Sequence, residues 1–142
     1  MQVKIHRLQS DIPLPEFATS GSVGFDLSAS CDFSIKPGEI ALIPTGLVIE
    51  VPSGFALILA SRSSTPKKKG LTMPHGIGVI DQDYCGRDDE IKLQVKNFSS
   101  QEVKIKKGER IAQGIFVKVE QCTFTEIDEV NSETRGGFCS TG

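Results

Sequence analysis

The sequence predicts an all-β domain, a sandwich or barrel of many short strands with one short helix. Short apolar segments are separated by turn residues, such as those at 37–38, 52–54 and 107–108. Apolar and polar side chains alternate along Glu90–Asn97, as in a strand with one buried face. No segment has a sustained helical period. Short strands at regular spacing, with turns between them, are typical of sandwiches and barrels.

The strands are predicted where Ile, Val, Leu and Phe cluster between turns. An apolar pair at Val79 and Ile80 predicts one strand, and the others are predicted at Val3–Leu8, Glu39–Ile43, Leu47–Val51, Phe55–Leu59, Ile91–Val95, Val103–Ile105, Ile111–Val119 and Cys122–Ile127. The helix is predicted over Pro66–Lys69, with Ser64 or Thr65 as its cap and Gly70 at its end. The lysines at 67–69 predict either a solvated face or a weak attraction for a polyanion.

Length, charge and cysteine usage exclude several classes. A chain of 142 residues is the size of one domain, and its net charge of -2 gives no basic surface for nucleic acid. No apolar run approaches the roughly 20 residues that span a bilayer, and the amino terminus has no signal-peptide pattern. We therefore expect a cytoplasmic protein without nucleic-acid or membrane partners. The four cysteines form no CxxC pair, so we expect reduced thiols and no zinc site.

The carboxyl-terminal residues differ from the rest of the chain. Residues 131–142 are mostly glycine, serine and threonine, with one arginine, Arg135, and one large apolar residue, Phe138. The predicted division is a β domain over 1–130 and a flexible arm over 131–142. Composition leaves two interpretations open, a flap that closes over a ligand and a disordered terminus.

Four segments combine polar side chains with strand ends. In 78–86 an apolar strand ends at Asp81, Asp83 and Tyr84, which predicts either a ligand site or a plain turn. Segment 60–64 places Arg62 between serines, forming either an anion site or a helix cap beside an exposed arginine. Segment 108–113 offers Gln113 as a donor, with Glu109 and Arg110 able to pair with other segments or with each other. In 21–29 the carboxylate of Asp26 could hold a metal or water, or cap the turn.

Five segments in order resemble the trimeric dUTPase family. They are GSVGFDLSA (21–29), ASRSS (60–64), GVIDQDYCG (78–86), GERIAQ (108–113) and RGGFCSTG (135–142), and they extend over nearly the whole chain. The resemblance implies a homotrimer of distorted β-barrels of jelly-roll type, a β-clip fold, with three active sites at subunit interfaces. It implies hydrolysis of dUTP to dUMP and pyrophosphate with Mg²⁺, which keeps uracil out of DNA and supplies dUMP for dTMP synthesis.

The resemblance also implies a role for each matching residue. Asp81 would be the general base, Tyr84 would pack on the deoxyribose, and Asp83 would be structural. Backbone groups near Gly78, Val79, Ile80 and Tyr84 would bind uracil and discriminate against cytosine. Phosphate contacts are assigned to Arg62, Ser63, Ser64, Gln113 and Arg135, base stacking to Phe138, and a position near the metal, acting through water, to Asp26.

The chain departs from the family pattern at three points. Residues 87–89 look like an insertion that lengthens the turn, which makes the match of Lys92 to a substrate contact uncertain. Only two glycines separate Arg135 from Phe138, so the arginine is expected to contact a different phosphate oxygen. Cys139 replaces a usual glycine. His75 lies where some members contact the base, or it is merely structural.

Two other functions are weighed against this one. A dCTP deaminase shares the fold, but such proteins typically have Asp-Pro-Gly-Phe in the hairpin where this chain has Asp83-Tyr84-Cys85-Gly86, and this tyrosine form argues against deamination. A nucleotide-binding regulatory protein without catalysis is the other alternative, because a fold alone does not determine activity. The base, aromatic ring and phosphate ligands favour the hydrolase.

Overall fold

The computed structural model describes residues 1–137. Within that range it contains eleven strands and one short helix, which confirms the all-β prediction. The strands are β1 (Lys4–Arg7), β2 (Phe25–Ser28), β3 (Phe33–Ile35), β4 (Ile40–Pro44), β5 (Leu47–Glu50), β6 (Phe55–Ser61), β7 (Leu71–Thr72), β8 (Gly78–Ile80), β9 (Lys92–Asn97), β10 (Val103–Ile105) and β11 (Arg110–Lys118). The helix α1 (Ser64–Lys69) lies between β6 and β7.

Antiparallel pairing arranges these strands in four sheets. The largest has the order β2-β11-β6-β8, a second has the order β4-β9-β7, and β1-β5 and β3-β10 form two-stranded ribbons. In the described part of the chain, the pairings leave separate sheets around one apolar core and do not close a continuous barrel. The last of the described strands, β11, lies between β2 and β6 in the largest sheet.

Alternation of side chains fixes which face of each strand meets the core. Leu93 and Val95 of β9 are buried, while Lys92 and Lys96 are exposed, as the sequence predicted. The same strand ends at Asn97, which is fully buried. Its side-chain amide donates to the backbone oxygens of Ile35 (2.9 Å) and Gln101 (2.8 Å), so its polar atoms are paired inside the core.

The helix starts earlier than predicted. It begins at Ser64, and Ser63 is the cap residue but makes no side-chain capping bond. The hydroxyl of Thr65, one of the two predicted caps, donates instead to the backbone oxygen of Ile111 at 2.9 Å, which ties α1 to β11. The end is as predicted, because Gly70 adopts the left-handed conformation (φ 65°) that glycine tolerates best.

The predicted strand at Cys122–Ile127 is wrong for the described chain. The last strand ends at Lys118, and Phe124 is 94% exposed. A strand needs a hydrogen-bonded neighbour, and no described strand pairs with these residues. The short strands β3 and β7 were not predicted. None of the helices in residues 1–137 is long and apolar enough to span a membrane.

Candidate functional site

Three of the predicted segments meet at one end of the largest sheet. Asp26 lies in β2, Gln113 lies in β11, and Arg62 directly follows β6. Strand register places Gln113 opposite Asp26 on one side and opposite Ala60 on the other. Residues from distant parts of the sequence are therefore neighbours because β11 lies between β2 and β6.

Asp26 pairs with two arginines. Its Oδ1 lies 2.7 Å from Nε of Arg62, and its Oδ2 accepts a hydrogen bond from Nη1 of Arg110 at 3.0 Å. The Asp26 side chain is only 15% exposed. Both carboxylate oxygens are therefore engaged by guanidinium groups. Arg110 was not among the predicted site residues, although its charge beside Gln113 had suggested pairing with another segment.

Gln113 is also held in place. Its side-chain amide donates to the backbone oxygen of Ser61 at 3.2 Å, across the β6–β11 pair. Ser61 immediately precedes Arg62, so this hydrogen bond places the glutamine beside the arginine. The prediction that both contact one anion is consistent with this proximity.

A cavity of about 330 Å³ separates α1 from the turn before β11. Its lining includes Arg62, Ser64, Lys68, Lys69, Glu109 and Arg110. Four cations against one carboxylate give this space a positive charge, which favours an anionic ligand. Ser63 lies next to it in the chain and is exposed.

An ion pair between Lys69 and Glu109 crosses the cavity. Partial burial alone would raise the pKa of the Glu109 carboxyl. Hydrogen bonds from Lys69 and from the backbone N–H of Lys106 (3.0 Å), together with the positive charge of Lys69, outweigh this effect and lower the pKa below its usual value. The turn that carries Arg110 is thereby attached to the end of α1.

The 78–86 segment lies at the edge of the same sheet. Strand β8 pairs only with β6 among the described strands, so its outer edge has backbone donors and acceptors free for a ligand. Asp81 follows the strand with its side chain exposed, and its backbone oxygen accepts from Tyr84 N–H at 3.4 Å. The Tyr84 hydroxyl donates to the backbone oxygen of Glu90 at 3.2 Å, which holds the ring across the turn.

Residues 86–90 form a closed turn. The backbone N–H of Gly86 donates to Oδ2 of Asp89 at 2.7 Å, and Asp89 N–H donates back to the Gly86 oxygen at 3.1 Å. Glu90 then accepts from the backbone N–H of Gly46 at 2.7 Å. The segment that was interpreted as an insertion thus closes on itself without disturbing the contact between Tyr84 and Glu90.

The remaining predicted residues lie apart from the arginine cluster. His75 is exposed in the turn before β8, Lys92 is exposed at the start of β9, and Arg135 is exposed beyond the last strand. Phe138 lies outside the described residues. No described hydrogen bond or ion pair joins Asp81, Tyr84, His75 or Lys92 to Arg62 or Gln113.

Strand register shows how far the Asp81 segment lies from the arginine cluster of Arg62 and Arg110. Ile80, the residue before Asp81, lies opposite Leu57 of β6, whereas Arg62 lies five positions beyond Leu57 (62 − 57). At about 3.3 Å per residue this separation is roughly 17 Å. Asp81 and Arg62 of one chain are therefore near opposite ends of β6.

Comparison with known proteins identifies relatives over the whole chain. The dUTPase family model matches residues 10–142. A deoxyuridine 5'-triphosphate nucleotidohydrolase of Finegoldia magna is 42% identical over 146 residues, covering 100% of this chain and 99% of the relative. A crystal structure of dUTPase from Streptococcus mutans is 35% identical, with a TM-score of 0.77, and the match covers 84% of this chain and 98% of that one.

A more distant structure shares the fold. The dUTPase of Staphylococcus bacteriophage 80alpha, solved with dUPNHPP, has a TM-score of 0.88 at 23% identity, over 99% of this chain and 98% of that one. The match agrees with the predicted jelly-roll type. The family predicted from five short segments is confirmed.

Proposed function

The chain belongs to the dUTPase family, and we propose that it hydrolyses dUTP to dUMP and pyrophosphate. The observation that carries this proposal is the meeting of Asp26, Arg62 and Gln113 beside a cationic cavity, on the sheet whose edge strand is followed directly by Asp81. Such an enzyme keeps uracil out of DNA and supplies dUMP for dTMP synthesis. A cytoplasmic location remains a prediction from the sequence.

The proposed reaction is attack of water on the α-phosphorus. Asp81 accepts the proton of the water, the new bond forms between the water oxygen and phosphorus, and the bond to the bridging oxygen breaks. Pyrophosphate leaves with the electrons of that bond. The exposed carboxylate of Asp81, at the end of a paired strand, is suited to this role because it is positioned but makes no described ion pair.

Sugar and base selection are assigned to the edge strand and its turn. Tyr84 is held through its hydroxyl to Glu90, so its ring presents a fixed surface for deoxyribose. Backbone groups on the outer edge of Gly78–Ile80 are proposed to pair with uracil, which places unmatched groups against cytosine. His75 and Lys92 are proposed as peripheral contacts.

Phosphate binding is assigned to Arg62, Ser63, Ser64 and Gln113. The cavity between α1 and the turn before β11 has the charge that a triphosphate requires. The arm over 131–142 is proposed to close over the nucleotide, with Arg135 on a phosphate and Phe138 on the base.

The described residues do not by themselves form a magnesium site. They contain no group of three or more acidic, histidine or cysteine side chains suited to a metal, and both oxygens of Asp26 contact arginines. Magnesium often binds through substrate phosphates and retained waters. We therefore propose that Mg²⁺ would enter with the triphosphate, where it would supply positive charge against the phosphates.

The separation of Asp81 from Arg62 supports sites shared between chains. A single nucleotide places its reacting phosphorus close to both the general base and the phosphate ligands. In one chain, however, Ile80, the residue before Asp81, is already separated from Arg62 by roughly 17 Å of strand rise along β6. A second copy supplying the arginine segment would bring them together. The proposed assembly is a homotrimer with three such sites.

Pyrophosphate release tests the activity. Purified protein with Mg²⁺ is compared on dUTP, dCTP, dTTP and UTP, and we expect rapid release from dUTP alone. Equal rates on all four, or no release, would contradict the proposal, and ammonia release from dCTP would favour the deaminase. A light-scattering mass near three times the 15.4 kDa chain is expected for the trimer.

Mixing two inactive variants tests the shared site. Asp81→Asn and Arg62→Ala chains are each expected to be inactive alone, and unfolding and refolding them together forms mixed trimers. If each site combines Asp81 and Arg62 from different chains, some sites in a mixed trimer take Asp81 from an Arg62→Ala chain and Arg62 from an Asp81→Asn chain. Both residues are intact in those sites, so the mixture regains activity. A mixture without activity would show that both residues come from one chain.

A further inference from the structure

The carboxylate of Asp26 contacts Arg62 in a way that leaves most of the guanidinium available. The contact is to Nε, at 2.7 Å, and no described hydrogen bond uses the two terminal amino groups of Arg62. Those groups form the planar fork that binds phosphate oxygens in pairs. Asp26 can therefore fix the orientation of Arg62 without occupying its phosphate-binding atoms.

Asp26 is itself held rigidly. Its neighbours in β2, Phe25 and Leu27, are buried in the core, and its backbone N–H donates to the Glu16 oxygen at 3.1 Å. Arg62, in contrast, lies between the end of β6 and the start of α1, outside both elements. The carboxylate of Asp26, on the paired strand β2, thus fixes the orientation of the long Arg62 side chain, which lies just after the end of β6.

Arg110 changes the charge balance of the contact. One carboxylate between two guanidinium groups leaves a formal excess of one positive charge. The Arg110 side chain is 56% exposed, so its ion pair adds little to stability. Its effect is expected in the binding of an anion.

We propose that Asp26 is a positioning residue that acts through Arg62, and that Arg110 supplies charge for the pyrophosphate part of the substrate. This inference rests on the proposed function, because it assigns Arg62 to the triphosphate. It replaces the expectation that Asp26 serves the metal, since each of its oxygens contacts a guanidinium group in the structure.

A double-mutant cycle tests the dependence of Asp26 on Arg62. Binding of α,β-imido-dUTP is measured by calorimetry for Asp26→Ala, Arg62→Ala and the double variant. We expect each single change to weaken binding by about tenfold or more, and the double variant to bind no worse than Arg62→Ala alone. Additive losses would overturn the proposal.

Two ligands separate positioning from a structural or metal role. Deoxyuridine, which has no phosphate, is expected to bind all variants within about twofold of the wild type by NMR titration, and a large loss would show a structural defect that overturns the proposal. The Mg²⁺ concentration that gives half-maximal turnover is expected to stay unchanged in Asp26→Asn. A tenfold shift, with unchanged analogue binding in magnesium-free buffer, would assign Asp26 to the metal.

Arginine and lysine replacements distinguish geometry from charge. Arg110→Lys is expected to keep the affinity for the analogue that Arg110→Ala loses, whereas Arg62→Lys is expected to behave like Arg62→Ala. Equal losses in Arg110→Lys and Arg110→Ala would contradict the charge role. Asp32→Ala removes an exposed carboxylate that contacts Lys106 at 2.8 Å and serves as the matched control, with unchanged binding expected.

The outcomes also distinguish a failure of this inference from a failure of the proposed dUTP hydrolysis on which it rests. If the wild type is inactive on dUTP, the proposed function itself is wrong. If the wild type is active but the binding losses of Asp26→Ala and Arg62→Ala are additive, only the role proposed for Asp26 is wrong. If Asp26→Ala does not fold, Asp26→Asn replaces it in the cycle, because the amide keeps the shape of the side chain and one acceptor oxygen.

Discussion

Gly24 and Gln113 share a space that holds only one side chain. A Cβ atom on Gly24 would lie 2.9 Å from Oε1 of Gln113. The glycine thus leaves room for the side chain whose amide donates to Ser61, next to Arg62.

Gly24→Ala is expected to reduce activity while sparing the fold. The methyl group would displace the flexible end of Gln113 from its hydrogen bond, and a displaced substrate ligand is expected to lower kcat/KM on dUTP by about tenfold. Gly21→Ala is the matched control, because a Cβ there meets no atom within 4 Å. Equal kcat/KM in the two variants would show that the position of Gln113 does not matter.

Asp81→Asn is expected to lower kcat by about 10²–10⁴-fold, because the amide cannot accept the proton of the attacking water. Binding of the imido analogue should be largely retained. Asp83→Asn, two residues away and also exposed, serves as the control and is expected to keep near-normal turnover. Near-normal turnover in Asp81→Asn would remove its assignment as the base.

Gly114→Ala is expected to destabilise the core. A Cβ at this position would lie 2.5 Å from Cζ of Phe25 and 3.1 Å from Cδ1 of Leu57, in the middle of the largest sheet. Overpacking of this kind costs about 1–3 kcal/mol of unfolding free energy, measurable by urea denaturation. A stability equal to that of Gly21→Ala would indicate that Phe25 moves without cost.

The Glu109–Lys69 ion pair predicts a pH dependence of stability. The pKa of Glu109 is lowered from 4.5, so the folded state favours its ionised form. The stabilisation is present above pH 4.5 and is lost as the pH falls through the lowered pKa. Glu109→Gln should therefore be less stable than the wild type near neutral pH, with the difference shrinking as the pH falls below 4.5 and through the lowered pKa.

The control for this titration is Glu102→Gln, on the turn before β10, whose carboxylate makes no described ion pair. Its unfolding free energy should follow the wild type at every pH. A constant difference between Glu109→Gln and the wild type across this range would show that the pair does not titrate as proposed.

Local sequence patterns predicted most strands because those strands alternate around one core. Leu93 and Val95 are an example, since their spacing alone identifies the buried face. The same reasoning failed at Cys122–Ile127, where apolar composition without a paired neighbour does not make a strand. Strand pairing is a property of two segments, so composition of one segment cannot establish it.

The site was predicted less completely for the same reason. The segments that contain Asp26, Arg62 and Gln113 could be recognised, but their contacts depend on register between β2, β6 and β11. Asp26 and Arg110 are 84 positions apart in the chain. Their contact became visible only in the structure, and it is the basis of our proposal that Asp26 acts through arginine and not through the metal.

The position of β11 has a consequence for synthesis. Its two neighbours, β2 and β6, leave the ribosome first, and the strand that joins them is the last of all the described strands. A nascent chain that stops before residue 110 therefore has exposed edges on both β2 and β6 and no contact between Asp26 and Arg110. The anion-binding end of the sheet forms only after nearly the whole domain has been translated, so prematurely terminated chains present unpaired strand edges that can aggregate.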